Sequence, residues 1–282
     1  MNLIPHPELT LRFILFCSFF LTTLVSLWYY LFYFARVAFY REGKKTSDGF
    51  QPTSVIICAR NEDHTLPKFL PLILSQDYPE YDVPVVDDCS YDNTTDVLRE
   101  FKKKYEHLKV ITIKEDKKYS HGKKYAMMVG IKGAKYENML FTDADCMPVS
   151  NQWLKKMTRN FSEKTEIVLS YGKYEKLSGL LNKLIRYDTF HIAIQYLSFA
   201  MARTPYIGIG RNLAYKKALF FKHKGFASHY HIESGDDDIF VNEASTKTNT
   251  KAEISPDSYT VSQVKKTWKG WTEQKRRHLS TW

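Results

Sequence analysis

The amino-acid sequence predicts an α/β protein, a mostly parallel sheet flanked by helices, preceded by a transmembrane helix. Three observations carry that expectation. Short apolar runs alternate with helix-like segments from residue 54 to residue 171. Three of those runs, Ser54–Cys58, Val83–Val86 and Met139–Phe141, lead into segments carrying polar or acidic residues. Phe13–Ala35 contains no charged residue and is rich in Phe, Leu, Tyr and Trp. Open α/β sheets bind ligands outside the carboxyl ends of their strands, so polar residues at the ends of apolar runs mark a candidate site.

Taken in order, the apolar stretch Phe13–Ala35 comes first. As a helix rising about 1.5 Å per residue it is ~35 Å long, enough to cross a ~30 Å hydrocarbon core with some tilt. It is too long for a signal peptide and lacks the small-residue cleavage site. Trp28, Tyr29, Tyr30 and Tyr33 crowd its second half, as an interfacial aromatic belt does. Arg12 and Glu8 precede it, whereas Arg36, Arg41, Lys44 and Lys45 follow it. The positive-inside rule then places everything after it in the cytoplasm, as a single-pass protein of the inner (cytoplasmic) membrane. Residues 1–40 form the anchor, 41–51 a polar linker, and 52–282 one globular domain.

The soluble part alternates. Strands are expected at Ser54–Cys58, Val83–Val86, Val110–Ile113, Asn138–Phe141 and Ile167–Tyr171, and helices at Leu66–Ser75, Thr94–Tyr105, Lys123–Ala134 and Gln152–Phe161. Pro67 is tolerated in a first helical turn, and Asn93 is a plausible helix cap. Leu180–Ala202 follows as a long helical pattern with few charges, buried in protein or lying at a membrane surface. Beyond it the sequence is less regular and ends in a helix carrying Trp268, Trp271, Gln274 and Arg277.

Composition narrows the function classes. The chain has 282 residues, 44% of them hydrophobic, and a net charge of +10. That suffices for a sizeable folded domain plus an appendage and argues against disorder. The basic residues are scattered rather than clustered, which argues against nucleic acid and for a membrane surface and phosphorylated ligands. Cys17, Cys58, Cys89 and Cys146 fit neither a zinc site nor a disulfide framework and read as reduced thiols.

Four polar signatures stand out: Cys58-Ala59-Arg60-Asn61-Glu62, Val86-Asp87-Asp88-Cys89-Ser90, Thr142-Asp143-Ala144-Asp145 and Gly235-Asp236-Asp237-Asp238. Carboxylates gathered on one rim repel each other, and a hard divalent cation reconciles them while holding nucleotide phosphates. In an extended segment Asp143 and Asp145 point the same way. Asp87 at a strand end can accept from the imide N–H of a base, though taken alone Asp87–Ser90 also reads as a turn with a helix cap. Gly122-Lys123-Lys124 opens a helix, where glycine allows close backbone approach and the helix N-terminus attracts anions. His229-x-His231-x-Glu233 has the spacing of metal ligands on one face of a strand, but it reads better as a polar loop entering the aspartate run. Gly208-x-Gly210 lacks the βαβ context of a dinucleotide fingerprint and is expected to shape a loop.

The order of these signatures, with Gly122-Lys123-Lys124 and Gln274-Lys275-Arg276-Arg277 in their expected places, resembles the family 2 glycosyltransferases, membrane-anchored members of which include the catalytic domains of cellulose synthase and poly-N-acetylglucosamine synthase. The resemblance runs from about Pro52 to His278 and implies a GT-A fold and a nucleotide-sugar donor, uridine diphosphate sugar in the first place. It implies donor contacts from Ala59, Arg60, Glu62, Asp87, Asp88, Gly122, Lys123, Asp143 and Arg277, and Mg²⁺ or Mn²⁺ on Asp143 and Asp145. Asp237, paired with Asp236, takes the place of the general base, with inversion at the anomeric carbon; three consecutive aspartates leave that assignment open by one residue. Gly210, Asn212, Gln274 and His278 fall on the acceptor side. Two departures are visible: Asp236 stands where Glu is expected, and His278 where Trp would offer a stacking face. The implied acceptor is a lipid-linked saccharide, a lipid or a growing polysaccharide at the cytoplasmic face, with membrane lipids and further membrane subunits as partners. A polyprenyl-phosphate sugar transferase is the alternative within the enzyme class. A non-catalytic membrane scaffold is the alternative outside it, and would be favoured by disrupted acidic motifs, which here are intact.

Overall fold

The computed structural model describes residues 7–42, 50–114, 122–229, 232 and 235–279. It opens with α1 (Pro7–Tyr29), a π-helical stretch (Tyr30–Phe34) and α2 (Ala35–Ala38). The first strands and helices then alternate as β1 (Thr53–Ala59), α3 (Leu66–Leu74), β2 (Tyr81–Asp88), α4 (Thr94–Lys104), β3 (Leu108–Ile113), α5 (Lys123–Gly133) and β4 (Asn138–Asp143). There follow β5 (Cys146–Pro148), α6 (Trp153–Thr158), β6 (Ile167–Ser170), β7 (Gly172–Tyr174) and α7 (Leu180–Met201). The chain closes with β8 (Leu213–Lys216), α8 (Lys217–Lys222), α9 (Asp236–Ala244), β9 (Thr250–Glu253), β10 (Thr260–Ser262) and α10 (Trp268–Leu279).

Seven strands form one sheet in the order β3-β2-β1-β4-β8-β6-β9. Every neighbouring pair is parallel except those made by β8, which runs against β4 and β6. The expected mostly parallel sheet is therefore present, with one inverted strand. The nine predicted strands and helices between residues 54 and 171 all occur, their ends shifted by a few residues. The short elements β5, β7, β8, β9, β10, α8 and α9 were not anticipated.

Strand alternation builds the core. Val55 and Ile57 face one side with Leu66, Leu70 and Ile73 of α3, Leu98 of α4, and Trp153 and Leu154 of α6. Ile56 faces the other with Met127 and Ile131 of α5, Tyr196 and Leu197 of α7, and Phe240 of α9. Successive side chains of a strand point to opposite faces, so an uninterrupted apolar strand needs helices on both sides. A second sheet, β5-β10-β7, stands near the carboxyl end of β4.

Thr10–Ala38 is long and apolar enough to cross a membrane. Its side chains project outward: Phe13, Phe16 and Phe19 are 65–70% exposed. The end of this segment packs on the globular body. Tyr33 stacks on Phe199 of α7 with ring centroids 4.2 Å apart. Just past α2, Glu42 accepts from Lys156 at 2.6 Å and also pairs with Arg159, which reaches on to the fully buried Glu253 at 2.7 Å. Asn160 Nδ2 donates to the same Glu253 oxygen at 2.8 Å. Hydrogen bonds from Lys156 and Arg159 hold the Glu42 carboxyl down at about 2.

Candidate active site

A cleft of ≈ 540 Å³ lies outside the carboxyl ends of β1, β2 and β4, walled by the small sheet, α7, α9 and α10. Ala59, Arg60, Glu62, Asp88, Lys123, Asp143, Asp145, Gly210, Asp236, Asp237, Gln274 and Arg277 all line it, although they come from distant parts of the chain.

Asp143 ends β4, and Ala144-Asp145 makes the turn into β5. One ligand atom each of Asp143, Asp145 and Cys146 fall within 4.8 Å of one another. Burial pushes the Cys146 thiol well up, and its Sγ is engaged with Ser262 Oγ at 2.8 Å. The donors left are two carboxylates, an oxygen set that suits a hard cation such as Mg²⁺ or Mn²⁺. Burial works to raise the Asp143 carboxyl, but Lys123 outweighs it and holds this group below the usual range. Burial and then Asp143 itself push Asp145 up.

Lys123 Nζ sits 3.1 Å from Asp143 and 3.9 Å from Asp236, joining β4 to the first turn of α9. Burial disfavours its charge, yet Asp143, Asp236 and Asp237 hold the ammonium well above its ordinary value. Gly122, in extended backbone, is the N-cap of α5. A Cβ there would meet nothing within 4 Å, so the space over this cap is open.

The three aspartates occupy the first turn of α9, behind Gly235 in the left-handed region at φ 77°. A helix N-terminus favours negative charge. Successive helical residues turn about 100°, so the three face different surroundings. Asp237 Oδ1 is shielded from solvent and has no hydrogen-bond partner among the described residues. Burial first, then the Asp236 charge, pushes the Asp237 carboxyl well up. Burial also pushes Asp238 up to about 7. Gly210 makes room for this group: a Cβ there would lie 1.8 Å from Asp237 Oδ2.

Two expected site residues sit elsewhere. Asp87 is fully buried and accepts from Thr95 Oγ1 and the Ser90 backbone, while its neighbour Asp88 lines the cleft. Adjacent strand residues face opposite ways, so only one of the pair can do so. Asn212 is equally spent: its Oδ1 accepts from Trp153 Nε1 at 3.0 Å, and its Nδ2 donates to the Tyr171 and Ser258 carbonyls at 3.0 and 2.8 Å. It braces the small sheet rather than facing an acceptor.

At the β1 end, Arg60 donates to Tyr91 Oη at 2.6 Å and lies 3.9 Å from Asp88. Burial raises the Glu62 carboxyl against the Thr65 hydroxyl bond that lowers it. On α10, Gln274 Nε2 donates to Tyr174 Oη at 3.1 Å, and Trp271 lines the cleft one turn before it. His278 lies in α10, but its side chain is outside the described residues, as are the side chains of His231 and Glu233.

Arg211 was missed in the sequence. It lines the cleft, with its guanidinium carbon 4.5 Å above the Tyr174 ring. The signal was there: a single basic residue between Ile207 and Ala214, where every neighbour is apolar, glycine or Asn.

A family model for glycosyl transferase family 2 matches residues 54–224, more than half of the chain. The chain belongs to glycosyl transferase family 2. The match runs from β1 into the loop after α8; the aspartate run and α10 lie beyond it. Poly-beta-1,6-N-acetyl-D-glucosamine synthase of Staphylococcus epidermidis is 36% identical over 92 residues, 33% of this chain and 21% of that protein. Poly(ribitol-phosphate) beta-glucosyltransferase of Bacillus spizizenii is 27% identical over 206 residues, 72% of this chain and 31% of that protein. This family member thus spans between a fifth and a third of the length of such curated relatives. Among solved structures, a mannosyltransferase of Pyrobaculum calidifontis in complex with GDP-Man and Mn²⁺ superposes with a TM-score of 0.68 at 20% identity, covering 90% of this chain and 68% of that one. S. aureus TarS 1–349 in complex with UDP superposes with a TM-score of 0.55 at 22% identity, covering 76% and 60%. These likenesses show the GT-A fold.

Proposed function

We propose that the protein is a membrane-anchored, inverting glycosyltransferase that moves a sugar from a nucleoside diphosphate sugar, a uridine diphosphate sugar in the first place, to a lipid-linked or polysaccharide acceptor at the cytoplasmic face of the membrane. The observation that carries the reading is the meeting of Asp143, Asp145, Lys123 and Asp237 in one cleft. The poly-N-acetylglucosamine and poly(ribitol-phosphate) enzymes among its relatives support the acceptor class, and the ligands named for its structural neighbours support the donor class.

Ala59, Arg60, Glu62 and Asp88 line the end of the cleft beside β1 and β2, and in this reading they take the nucleoside. Asp143 and Asp145 would hold Mg²⁺ or Mn²⁺, which when bound offsets the charge of the donor diphosphate. Lys123 and Arg277 add positive charge beside it. Asp237 accepts the proton of the acceptor hydroxyl. The new bond forms from that oxygen to the anomeric carbon as the bond to the phosphate oxygen breaks, and its electron pair leaves on the nucleoside diphosphate. One displacement from the side opposite the leaving group inverts the anomeric carbon. Burial and the Asp236 charge raise the Asp237 carboxyl above its ordinary value, which makes it the stronger base.

The same half-buried Asp237, its carboxyl raised, supports a second reading, transfer to a polyprenyl phosphate, whose acceptor oxygen is already ionised. Product analysis separates the two. Purified full chain is given UDP-sugars and GDP-mannose, with hydroxyl acceptors or farnesyl phosphate, with and without Mn²⁺. Sugar transfer to a hydroxyl, lost in excess chelator, is expected; transfer that chelator leaves untouched would sink the metal-dependent mechanism.

A further inference from the structure

Resting on the transferase reading, we infer that Arg211 is an oxyanion-binding residue of the cleft that takes a phosphoryl group through its guanidinium fork. Four other positions hold it in place. The hydroxyls of Thr142 on β4 and Thr260 on β10 both donate to the Arg211 carbonyl, at 3.2 and 3.1 Å. The stem passes over Gly172, where a Cβ would press to 3.2 Å from Arg211 Cβ and 3.6 Å from Nε. The Tyr174 ring supports the guanidinium from the other end of β7.

Yet the group so placed is left wanting an anion. Nη1 is shielded from solvent and has no hydrogen-bond acceptor, and Arg211 makes no ion pair among the described residues. Asp143 feels its charge without pairing to it. Lys123 is the opposite case, already neutralised by Asp143 at 3.1 Å. A shielded N–H donor left without an acceptor is costly, and the flat array of guanidinium donors matches phosphate in a bidentate way that an ammonium does not. The phosphoryl group has two possible sources: the donor diphosphate, or a phosphate on the acceptor.

The test measures binding of pyrophosphate, UDP, uridine, farnesyl phosphate and farnesol to the full chain at fixed Mg²⁺, for wild type, Arg211→Gln and Arg211→Lys. Loss of a charge-assisted pair predicts about 10- to 100-fold weaker pyrophosphate and UDP binding in Arg211→Gln, with uridine unchanged and Arg211→Lys intermediate. If the acceptor supplies the phosphate, the same loss falls on farnesyl phosphate and spares UDP, pyrophosphate and farnesol. Phosphate probes that bind all three proteins alike, or bind none, overturn the inference. Should Arg211→Gln fail to fold, Gly172→Ala keeps the charge and crowds the stem; unchanged affinities there overturn it equally. Pyrophosphate that binds through Arg211 while no nucleotide binds would support this inference and sink the transferase reading.

Discussion

The half of the molecule built on β1 to β4 and the half built from β5 to α10 reach the same cleft by different routes. In the first half, cleft-lining side chains sit on or directly after the ends of long paired strands: Ala59, Asp88 and Asp143. Those strands are locked in parallel register and buried on both faces. In the second half the strands have three or four residues, and the cleft is lined from loops and helix ends: Gly210, Arg211, the aspartates of α9 and Gln274 of α10. One wall is set by the sheet. The other is assembled from pieces that each need their own support, such as Gly210 beneath Asp237 or Thr142 and Thr260 beneath Arg211. A rigid wall suits a ligand common to a family, and an assembled wall suits one that varies.

The largest expected effect falls on the rigid wall. Asp145→Ala should abolish turnover, a loss of several kcal/mol of transition-state stabilisation on the order of 10³-fold or more, read in a transfer assay. It should also weaken nucleotide-sugar binding. Asp237→Asn, on the assembled wall, should lower transfer to a hydroxyl by roughly 10²- to 10⁴-fold while nucleotide affinity changes little. Asp236→Asn and Asp238→Asn need the same assay, because a normal rate in Asp237→Asn with a defect in either neighbour would move the base by one residue. Since the Asp237 carboxyl is raised, a base at this position predicts a rate that falls as pH drops through its titration.

Gly210→Ala comes next. Its Cβ would collide with Asp237, and a displacement of about 1 Å at a reacting group costs roughly 10²-fold, which should appear in kcat with nucleotide affinity retained. A wild-type kcat would show that the assembled wall tolerates movement.

The smallest effects concern stability. Asn212→Ala should lower Tm by several degrees without altering the KM for the donor, since three partners, two of them buried, lose a hydrogen bond worth about 1 kcal/mol each. Asp238 works in the other direction. Its carboxyl titrates at about 7 in the folded chain against 3.8 ordinarily, so between those values the native state binds a proton that the unfolded state does not. Its stability is full below pH 3.8 and declines as pH rises to about 7. Asp238→Asn should therefore raise Tm at pH 7.5 by roughly 2–4 °C per kcal/mol relieved, and the gain should vanish near pH 4. A gain equal at both pH values would assign the effect to packing instead.

The two halves also differ in how far their sequence could be read. Ser54–Cys58 and Met139–Phe141 are apolar, β-branched or aromatic, and bounded by turns, so strand and site followed together. Thr260-Val261-Ser262 and Thr250-Lys251-Ala252-Glu253 are too short and polar for periodicity to register, and their pairing comes from neighbours far away in the chain. Parity was the other blind spot. Asp87 and Asp88 are both acidic, and nothing local says which one faces the cleft; the register against β1 decides it. The resemblance puts Asn212 on the acceptor side, whereas its partners Trp153 and Ser258 become visible only in the folded chain.

The clasp at Glu42 bears on where this molecule meets its acceptors. Lys156 and Arg159 fasten the segment leaving the apolar helix to the body of the domain, with Arg159 tied in turn to Glu253 inside it. If that helix crosses a bilayer, the clasp makes it a bracket and not a leash. The mouth of the cleft would then keep one height and one tilt above the lipid, and the protein would work as a ruler, serving acceptors whose reactive end stands off the membrane by that fixed distance.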